Sequence, residues 1–520
     1  MRILDVGCSN AGITHHIAKD VEGLVVDGLD LDRRMVALAN RRARKQDIPG
    51  KFKVGSALDA PNLFKPGTYD AVVAFELIEH VPDVTEFLAT LEAMVKPGGR
   101  VYISTPDGTF GQGNNPHHLR VYKAVDLADT IRRRGHLQDL TVGSDQVTVV
   151  SYTPGPRRED IGIYLGPCWN RWSPMDIMTK GLGGSETAAV RLADALNDMG
   201  FIVTVYGDTD DTCIKDVIYR HYSRFDPLEP RGALIASRAP EVADRPIAAA
   251  TRLLWVHDID CGDRLTGARG EAFDHILALS PFHAAHLRGR YPWLAPKVVE
   301  TRNGIHTKYF KPLPWTERDP RVVYSSSPDR GLDVLLELWP RVLEQVPDAQ
   351  LAYCYADVYD AVADKDPVIG AFRDRVKALS DQPGVERLGA LSQPLLSELM
   401  CSSRVWAHPS YSTPAGMVFH ETSCIGAMEA QAAGCLVVAT DVGALHDTVK
   451  IGRLVNNGVL SDSWKAGMVQ SIVSGLSDQR VGEWAVTAGP SAASDLGWDG
   501  VAEQIGLLVA VGDTAPVRAR

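Results

Sequence analysis

Apolar runs of strand length alternate with amphipathic stretches of helix length along nearly the whole chain. Three such series begin at ILDV (from Ile3), IGIYLG (from Ile161) and RVVY (from Arg321). Alternation of this kind indicates parallel sheets that are covered by helices. The pattern therefore predicts an α/β protein with three parallel-sheet units, followed by a last amphipathic helix in GWDGVAEQIGLLVA from Gly497.

Two short stretches rich in proline and charge separate the three series. They are PGPRRED from Pro154 and FKPLPWTERDP from Phe310, and such composition is typical of linkers. We therefore expect a first domain, a linker, two further domains, and a terminal helix with a tail, over residues 1–153, 154–160, 161–310, 311–480 and 481–520.

Composition excludes some classes of protein. The chain has 520 residues, of which 45% are hydrophobic and 23% charged, as in ordinary soluble proteins. Its formal net charge of -11 disfavours a nucleic-acid binder with a broadly basic surface. The eight cysteines are scattered and form no C-x-x-C pair, which suits a reducing cytoplasm. No apolar run approaches the roughly 20 residues that span a bilayer. We expect a cytoplasmic protein, and peripheral contact with a membrane surface is left open.

The first unit opens with a strand that runs into a glycine-containing turn. The run ILDVGCSNAG carries Asp5, Gly7 and Gly12, and the residues after it can begin a helix. Such a turn brings backbone N–H groups close to a ligand. The second strand ends in VVDGLDLD, where Asp30 can accept hydrogen bonds from two ribose hydroxyls. The segment predicts a nucleotide site, with a plain strand-to-helix turn as the alternative.

Two later segments narrow this interpretation. They are YDAVVAFELIEHVPD from Tyr69 and VKPGGRVYISTP from Val95. With the first turn, they make residues 1–153 resemble the class I S-adenosylmethionine-dependent methyltransferases. The resemblance implies S-adenosylmethionine as cofactor, with the turn of Asp5, Gly7 and Gly12 around its methionine part and Asp30 on its ribose.

Several positions depart from that family's pattern. Ser9 and Ala11 stand where the turn usually has glycines, and Ser56 stands where an acid often contacts the adenine. The sequence also begins at the first strand, without the helix that normally precedes it. Two interpretations stay open: an active methyltransferase, or an inactive methyltransferase-like domain used for docking.

Histidines occupy two loops of this unit. His80 follows Glu79, and His117 and His118 lie further on in NNPHHLRVY. A histidine here can act as a general base towards an acceptor hydroxyl, with a role in shaping the loop as the alternative. No spacing around His117 and His118 is typical of a metal site, so we expect solvated loop histidines and predict no metal.

The third unit carries two glutamates with seven residues between them. Glu421 and Glu429 lie in HETSCIGAMEAQAAG, which begins at His420. Eight residues make slightly more than two helical turns, so we expect both carboxylates on one side of a helix. The residues between them are small or apolar. Carboxylates buried there need polar partners, and sugar and ribose hydroxyls can supply them.

This segment resembles the Glu-x-seven-Glu motif of the retaining glycosyltransferases of family 4. The likeness extends over roughly residues 161–480. It implies a GT-B fold built of two Rossmann-like domains, and a nucleotide-diphosphate sugar as donor. By this resemblance Glu421 contacts the donor sugar and Glu429 contacts the nucleotide ribose.

Other segments fit the same family. The loop GLGGSE holds Gly183 and Gly184, which the resemblance places near the donor phosphates, although a simple helix start is the alternative. SSSPDRGLDV puts Arg330 where lysine is usual, and a guanidinium can pair with a diphosphate through two bonds. Ser325 stands where a second cation is usual. LLWVHDID ends a strand with His257, which the family often places near the sugar; a strand-end histidine held by a hydrogen bond is the alternative.

The sequence thus predicts a fused transferase. One part transfers a sugar, with retention, to a hydroxyl of a glycan, glycolipid or other acceptor. The other O-methylates a product of the same pathway. No Asp-x-Asp pair stands where a donor-binding metal is expected, so we predict no essential metal. A non-catalytic scaffold that binds glycans or nucleotides is the remaining alternative, and only Ser325 favours it.

Overall fold

The chain packs as two compact units. The first comprises Met1–Glu159, Gly200–Val203 and Asp211–Tyr219, and the second comprises Asp160–Met199, Thr204–Asp210 and Arg220–Arg520. The computed structural model describes residues 1–110, 115–155, 157, 159–168, 170–354, 363–364, 366–411, 420–456 and 458–512.

The first sheet is mostly parallel. Its strands are β1 (Arg2–Val6), β2 (Val25–Asp30), β3 (Phe52–Val54), β4 (Tyr69–Phe75), β5 (Val95–Pro106), β6 (Gly135–Val142) and β7 (Val147–Pro154). The order is β3-β2-β1-β4-β5-β7-β6, and β7 runs antiparallel to β5 and β6. Its helices are α1 (Gly12–Ile17), α2 (Arg33–Lys45), α3 (Ala60–Leu63), α4 (Val84–Met94) and α5 (Ala124–Arg132).

The strand order of this sheet fixes where a ligand can bind. The chain steps from β1 outward to β2 and β3, and then returns to the other side of β1 with β4. Ligands of open parallel sheets bind at such a reversal, outside the carboxyl ends of the strands. The residues directly after β1 and β4 lie at this edge.

The second sheet follows the first along the chain. Its strands are β8 (Asp160–Tyr164), β9 (Ile202–Gly207), β10 (Thr212–Ile214), β11 (Val217–His221), β12 (Arg231–Ser237), β13 (Ala249–Trp255), β14 (His275–Ala278) and β15 (Val298–Glu300). The order is β10-β11-β9-β8-β12-β13-β14-β15, and β10 and β11 form an antiparallel hairpin. Its helices are α6 (Asp176–Thr179), α7 (Gly184–Asp198), α8 (Gly267–Glu271) and α9 (Pro281–Arg290).

The third sheet is parallel throughout the described residues. Its strands are β16 (Asp319–Tyr324), β17 (Gln350–Cys354), β18 (Val385–Gly389), β19 (Ser403–His408), β20 (Leu436–Thr440) and β21 (Gly452–Val455), in the order β18-β17-β16-β19-β20-β21. Every residue of β20 is buried, as expected for a strand covered on both faces. The helices are α10 (Leu332–Leu343), α11 (Pro367–Ser380), α12 (Gln393–Cys401), α13 (Ile425–Ala432), α14 (Leu445–Thr448), α15 (Asp462–Ser477), α16 (Gln479–Ala493) and α17 (Trp498–Gly512).

The C-terminal helix returns to the second sheet. α17 packs against α7 and β13, and the ring centroids of Trp498 and Trp255 lie 6.4 Å apart. The amphipathic pattern predicted this helix. It did not predict the partner, because the contact joins residues more than two hundred positions apart in sequence.

The three predicted α/β series are confirmed as three mostly parallel sheets. Pro154 is the last residue of β7 and Asp160 is the first residue of β8, so the predicted linker joins these two strands. None of the helices in the described part of the chain is both long and apolar enough to cross a bilayer.

Candidate functional site

The two glutamates of the third sheet do not share a helix. α13 begins at Ile425, after Cys424, whose φ of 54° lies in the left-handed region. Glu429 is helical, whereas Glu421 lies in the turn before the helix. The prediction that one helical side carries both is therefore wrong. Tertiary hydrogen bonds override the helical spacing: Ala444 N donates to Glu421 O at 2.7 Å, and Thr448 Oγ1 donates to Ser423 O at 2.7 Å.

Glu421 is buried between two basic side chains. His408 Nε2 lies 2.9 Å from Glu421 Oε1, and Arg330 Nη1 lies 3.5 Å from the same oxygen. Burial raises the pKa of Glu421, but the hydrogen bond from His408 and the charge of Arg330 outweigh burial and leave this pKa below its ordinary value. The site therefore holds an ionised carboxylate in the range of neutral pH.

His408 was not predicted from the sequence. It ends β19, next to the carboxyl end of β16, whose following turn carries Arg330. Because the acceptor is a carboxylate, Nε2 of His408 carries the proton. The available signal was a histidine at the end of the buried strand RVWAH, the same feature that singled out His257 on β13.

Glu429 belongs to a second buried network. Gln393 Nε2 lies 3.4 Å from Glu429 Oε1, and Arg191 contacts Gln393 Oε1 through Nη2 at 2.6 Å and Nε at 3.1 Å. A guanidinium can only donate, so the oxygen of Gln393 faces Arg191 and its amide N–H faces Glu429. Burial raises the pKa of Glu429 to about 7, against the opposing effects of Arg191 and Gln393.

His257 lies beside Glu421. Thr422 Oγ1 donates to the backbone carbonyl of His257 at 2.9 Å. The ring of His257 is 4.3 Å from that of Trp255, and its Nε2 has no hydrogen-bond partner among the described residues. Burial, with the charge of Arg238 and the neighbouring His283, lowers the pKa of His257 to about 3, so this imidazole is neutral.

The glycine loop leads into α7. The helix begins at Gly184, with Gly183 at its N-cap and no capping side chain. The next residue, Ser185, accepts a hydrogen bond from Arg238 Nη1 at 3.3 Å, and Arg238 also binds both oxygens of Asp258 at 2.8 and 3.1 Å. The start of α7 is thereby tied to the strand end that carries His257.

Ser325, which stands where a second cation is usual, contacts the indole of Trp406. Its Oγ accepts a hydrogen bond from Trp406 Nε1 at 2.9 Å. A Cβ placed on Gly426 would lie 3.6 Å from this Oγ, so the N-terminus of α13 adjoins Ser325. Within the described part of the chain, the backbone N–H groups of Ile425 and Gly426 have no acceptor. Exposed amides at a helix start attract anions.

The first unit places Asp30 against its glycine turn. Ser9 N and Asp32 N each donate to the Asp30 carboxylate at 2.8 Å. Asp5 is buried, and its Oδ2 accepts from Thr14 Oγ1 at 2.6 Å. Burial raises the pKa of Asp5 to about 7, and the Thr14 hydrogen bond only partly offsets this.

The same turn uses left-handed backbone at three positions. Gly7, Ser9 and Ala11 have φ of 78°, 47° and 55°, so two side-chain-bearing residues adopt a conformation that favours glycine. A Cβ on Gly12 would lie 2.9 Å from Arg42 Nη1, which holds Asn10 Oδ1 at 2.8 Å. The turn keeps a glycine-type shape even where glycine is missing.

Comparison with known proteins assigns both parts of the chain. Residues 3–99 match the family model described as "Methyltransferase domain", and residues 319–478 match the model described as "Glycosyl transferases group 1". The chain is a methyltransferase domain joined to a glycosyltransferase. It is therefore a transferase enzyme, and its fold class is confirmed as Rossmann-like methyltransferase plus GT-B.

Curated relatives match this fusion protein at its methyltransferase end. The ubiquinone biosynthesis O-methyltransferase of Rhizobium etli (strain CIAT 652) is 26% identical over 175 residues, which are 33% of this chain and 67% of that protein. The protein of that name from Aeromonas salmonicida is 34% identical over 104 residues, which are 20% of this chain and 42% of that protein. The chain thus spans about two thirds or less of these relatives.

A solved structure matches a larger share of the chain. Sucrose-phosphate synthase from Thermosynechococcus elongatus superposes with a TM-score of 0.50 and 17% identity, over 68% of this chain and 99% of that protein. At this identity the likeness concerns the fold alone.

Proposed function

We propose that the glycosyltransferase part is a retaining enzyme that transfers a sugar from a nucleotide-diphosphate sugar to an acceptor hydroxyl. The observation that carries the proposal is the contact of Glu421 with Arg330 and His408 beside the start of α13. An ionised carboxylate can accept hydrogen bonds from sugar hydroxyls. The adjacent guanidinium and the helix amides that have no acceptor among the described residues suit a diphosphate.

These groups divide the work of the reaction. The bond from the sugar carbon to the diphosphate oxygen breaks, and negative charge grows on the phosphates. Arg330 and the N–H groups of Ile425 and Gly426 stabilise this charge. Glu421 holds the sugar, and the acceptor oxygen attacks from the face that the diphosphate leaves, passing its proton to a phosphate oxygen. Retention of configuration follows.

The remaining predicted residues bind other parts of the substrates. Glu429 binds the ribose, and Gln393 orients its carboxylate. The neutral His257 offers its unpaired Nε2 to a sugar hydroxyl. Gly183 and Gly184, without side chains that would block approach, lie at the N-terminus of α7 where phosphates or the acceptor can come close to backbone N–H groups.

The acceptor has a matching cavity on the second sheet. A cavity of about 640 Å³ opens beside the start of α7, lined among others by Ser185, Arg238, Tyr222 and Phe225. Aromatic rings can stack on a sugar face, and the polar side chains can bind hydroxyl groups. We therefore propose a glycan, glycolipid or similar hydroxyl compound as the acceptor.

The methyltransferase part takes S-adenosylmethionine in this proposal. When bound, this cofactor supplies a methyl group on a positively charged sulfur. The residues fit this cofactor. The carboxylate of Asp30 lies at the carboxyl edge of the sheet, beside the glycine turn. Gly7 packs so closely against Leu77 that a Cβ on Gly7 would lie 2.9 Å from Leu77 Cδ2. The turn with Asp5 and Gly12 binds the methionine part, and Asp30 binds the ribose.

The covalent joining of the two enzymes supports a shared pathway. We propose that the sugar acceptor and the O-methylated compound belong to the same glycan or glycoconjugate, and that both reactions take place in the cytoplasm. The domain limits 1–153, 161–310 and 311–480 are part of this proposal.

One assay tests the glycosyltransferase. The purified chain is incubated with a panel of nucleotide sugars, and release of nucleoside diphosphate is measured with and without hydroxyl acceptors. We expect turnover of at least one donor, and nuclear magnetic resonance of the product should show an unchanged anomeric configuration. Inversion would exclude the retaining mechanism, and no turnover of any donor would favour a binding scaffold.

Calorimetry tests the methyltransferase part. We expect S-adenosylmethionine to bind once per chain, and Asp30→Asn to weaken this binding. No binding to the unmodified chain would instead favour a docking domain.

A further inference from the structure

The turn between β1 and α1 has two residues with side chains in left-handed backbone. Ser9 and Ala11 have φ of 47° and 55°, a region where a Cβ is disfavoured and glycine is usual. Ala11 is also the N-cap of α1, and it donates or accepts no side-chain hydrogen bond there. Because the preferences of these two residues oppose the shape of the turn, other contacts must hold that shape.

The end of β2 holds the first half of the turn. Gly7 N and Cys8 N donate to the carbonyl oxygen of Leu29 at 2.9 and 3.0 Å. Ser9 N donates to Asp30 Oδ2 at 2.8 Å. Leu29 and Asp30 are the last two residues of this strand. These bonds fix the backbone as far as Ser9.

An arginine of α2 holds the second half. Arg42 Nη1 donates to the backbone carbonyl of Asn10 at 3.1 Å and to Asn10 Oδ1 at 2.8 Å. Asn10 lies between the two left-handed residues, so one guanidinium nitrogen binds both its backbone and its side chain. Hydrogen bonds from a charged donor are stronger than those between neutral groups. Arg42 therefore fixes the part of the turn that leads into α1.

Gly12 leaves room for this guanidinium. A Cβ on Gly12 would lie 2.9 Å from Arg42 Nη1 and 3.0 Å from Asn10 Oδ1, so a side chain there would displace the arginine from the turn. Gly12 begins α1 and is not in left-handed backbone. This glycine thus permits a contact rather than a backbone angle, and that contact compensates for the glycines that are missing at Ser9 and Ala11.

Arg42 differs from its basic neighbours on α2. Arg41 and Arg44 are exposed, whereas Arg42 is half-buried. It lies in the last turn of the helix, where the helix dipole favours a cation. The helix therefore directs one arginine to the turn and leaves the adjacent ones in solvent.

We propose that Arg42 is a positioning residue for the methyl-donor site. Its two bonds to Asn10 hold the turn in the glycine-type shape that presents backbone N–H groups to the methionine part of S-adenosylmethionine. This inference rests on the proposed binding of that cofactor. The replacements at Ser9 and Ala11 are then compatible with an active methyltransferase, because an arginine from another helix does what the missing glycines would do.

Cofactor binding by the full chain tests this role. Calorimetry with S-adenosylmethionine, well below the unfolding temperature, compares the unmodified chain with Arg42→Met, which keeps a long aliphatic side chain but removes both hydrogen bonds. We expect Arg42→Met to bind about tenfold more weakly, with one cofactor per chain as before. Arg41→Met, at an exposed position of the same helix, should bind as the unmodified chain does.

Glycine at position 11 should make the arginine less necessary. Ala11→Gly removes the Cβ that disfavours a φ of 55°, so the turn needs less support from Arg42. In the Ala11→Gly background, Arg42→Met should weaken cofactor binding only about threefold or less. Ala18 has a φ of -64°, so Ala18→Gly is the control and should leave the loss caused by Arg42→Met unchanged.

Thermal unfolding of the same samples separates positioning from a general effect on the fold. A lower unfolding temperature for Arg42→Met with unchanged cofactor affinity would overturn the proposal. So would a loss of affinity that persists in full in the Ala11→Gly background. Asn10→Ala removes one of the two acceptors and keeps Arg42, so it should weaken binding about threefold even where Arg42→Met does not fold.

The unmodified chain distinguishes this inference from the function on which it rests. Absence of S-adenosylmethionine binding to the unmodified chain would refute the proposed cofactor together with the role of Arg42. Equal binding by the unmodified chain and by Arg42→Met would uphold the cofactor and refute the role of Arg42 alone.

Discussion

His408 Nε2 lies 2.9 Å from Glu421 Oε1, and both side chains are buried. The histidine ends one strand of the third sheet, and the glutamate stands in the turn before α13. Their contact, rather than a shared helix with Glu429, fixes the carboxylate beside Arg330. It also means that the carboxylate proposed to hold the sugar already has protein partners in the absence of a sugar.

Removing this hydrogen bond should weaken both the fold and the reaction. His408→Phe keeps a ring of similar size but leaves Glu421 with Arg330 as its basic partner among the described residues, so we expect a loss of about 1–3 kcal/mol in the free energy of unfolding. Sugar transfer should fall with it, because the pKa of Glu421 rises. Denaturant unfolding and donor turnover measure the two effects. His446→Phe, at a side chain that is 77% exposed, is the control and should change neither.

Replacing Gln393 should separate binding from chemistry. Its amide connects Arg191 to Glu429, the residue proposed for the ribose. Gln393→Ala should raise the KM for the nucleotide sugar and change kcat much less, since the ribose is remote from the reacting bond. Glu398→Ala, on the exposed side of the same helix α12, should change neither constant. A loss of kcat in Gln393→Ala without a change in KM would contradict this role.

Because of Glu429, the free energy of unfolding should fall as the pH rises. Its pKa in the folded chain is about 7, above the ordinary value of 4.5, because burial disfavours the charge. The folded state therefore holds this proton more tightly than the unfolded state does. Its contribution is fully present below about pH 4.5 and is lost as the pH rises through 7. Denaturant unfolding at pH 5 and pH 8 should show Glu429→Gln gaining stability relative to the unmodified chain at the higher pH. A constant difference between the two proteins would refute the raised pKa.

Glycine should relieve strain in the turn of the methyltransferase part. Ala11 has a φ of 55°, where a Cβ is disfavoured, so Ala11→Gly should raise the free energy of unfolding by about 1 kcal/mol. Ala18 has a φ of -64°, and Ala18→Gly should not stabilise the chain. Destabilisation by Ala11→Gly would show that the methyl group contributes more by packing than it costs in backbone energy.

The sequence predicted what depends on neighbours along the chain. Apolar runs identified the three sheets, strand ends drew attention to Asp30 and His257, and the resemblance to a family drew attention to Arg330. Contacts between distant residues were not predictable: Gln393 meets Arg191 across 202 positions. Glu421 shows this limit of sequence-based prediction most clearly. Its spacing from Glu429 predicted a helical position, but the hydrogen bond from Ala444 N to Glu421 O holds it in a turn before the helix.

The most direct measurement is donor turnover by Glu421→Ala, compared with the exposed control Glu398→Ala. With an active donor from the panel, we predict that Glu421→Ala loses sugar transfer while it keeps a cooperative unfolding transition and unchanged S-adenosylmethionine binding. Glu398→Ala should retain normal turnover. Sugar transfer at the normal rate by folded Glu421→Ala would contradict the role of this carboxylate.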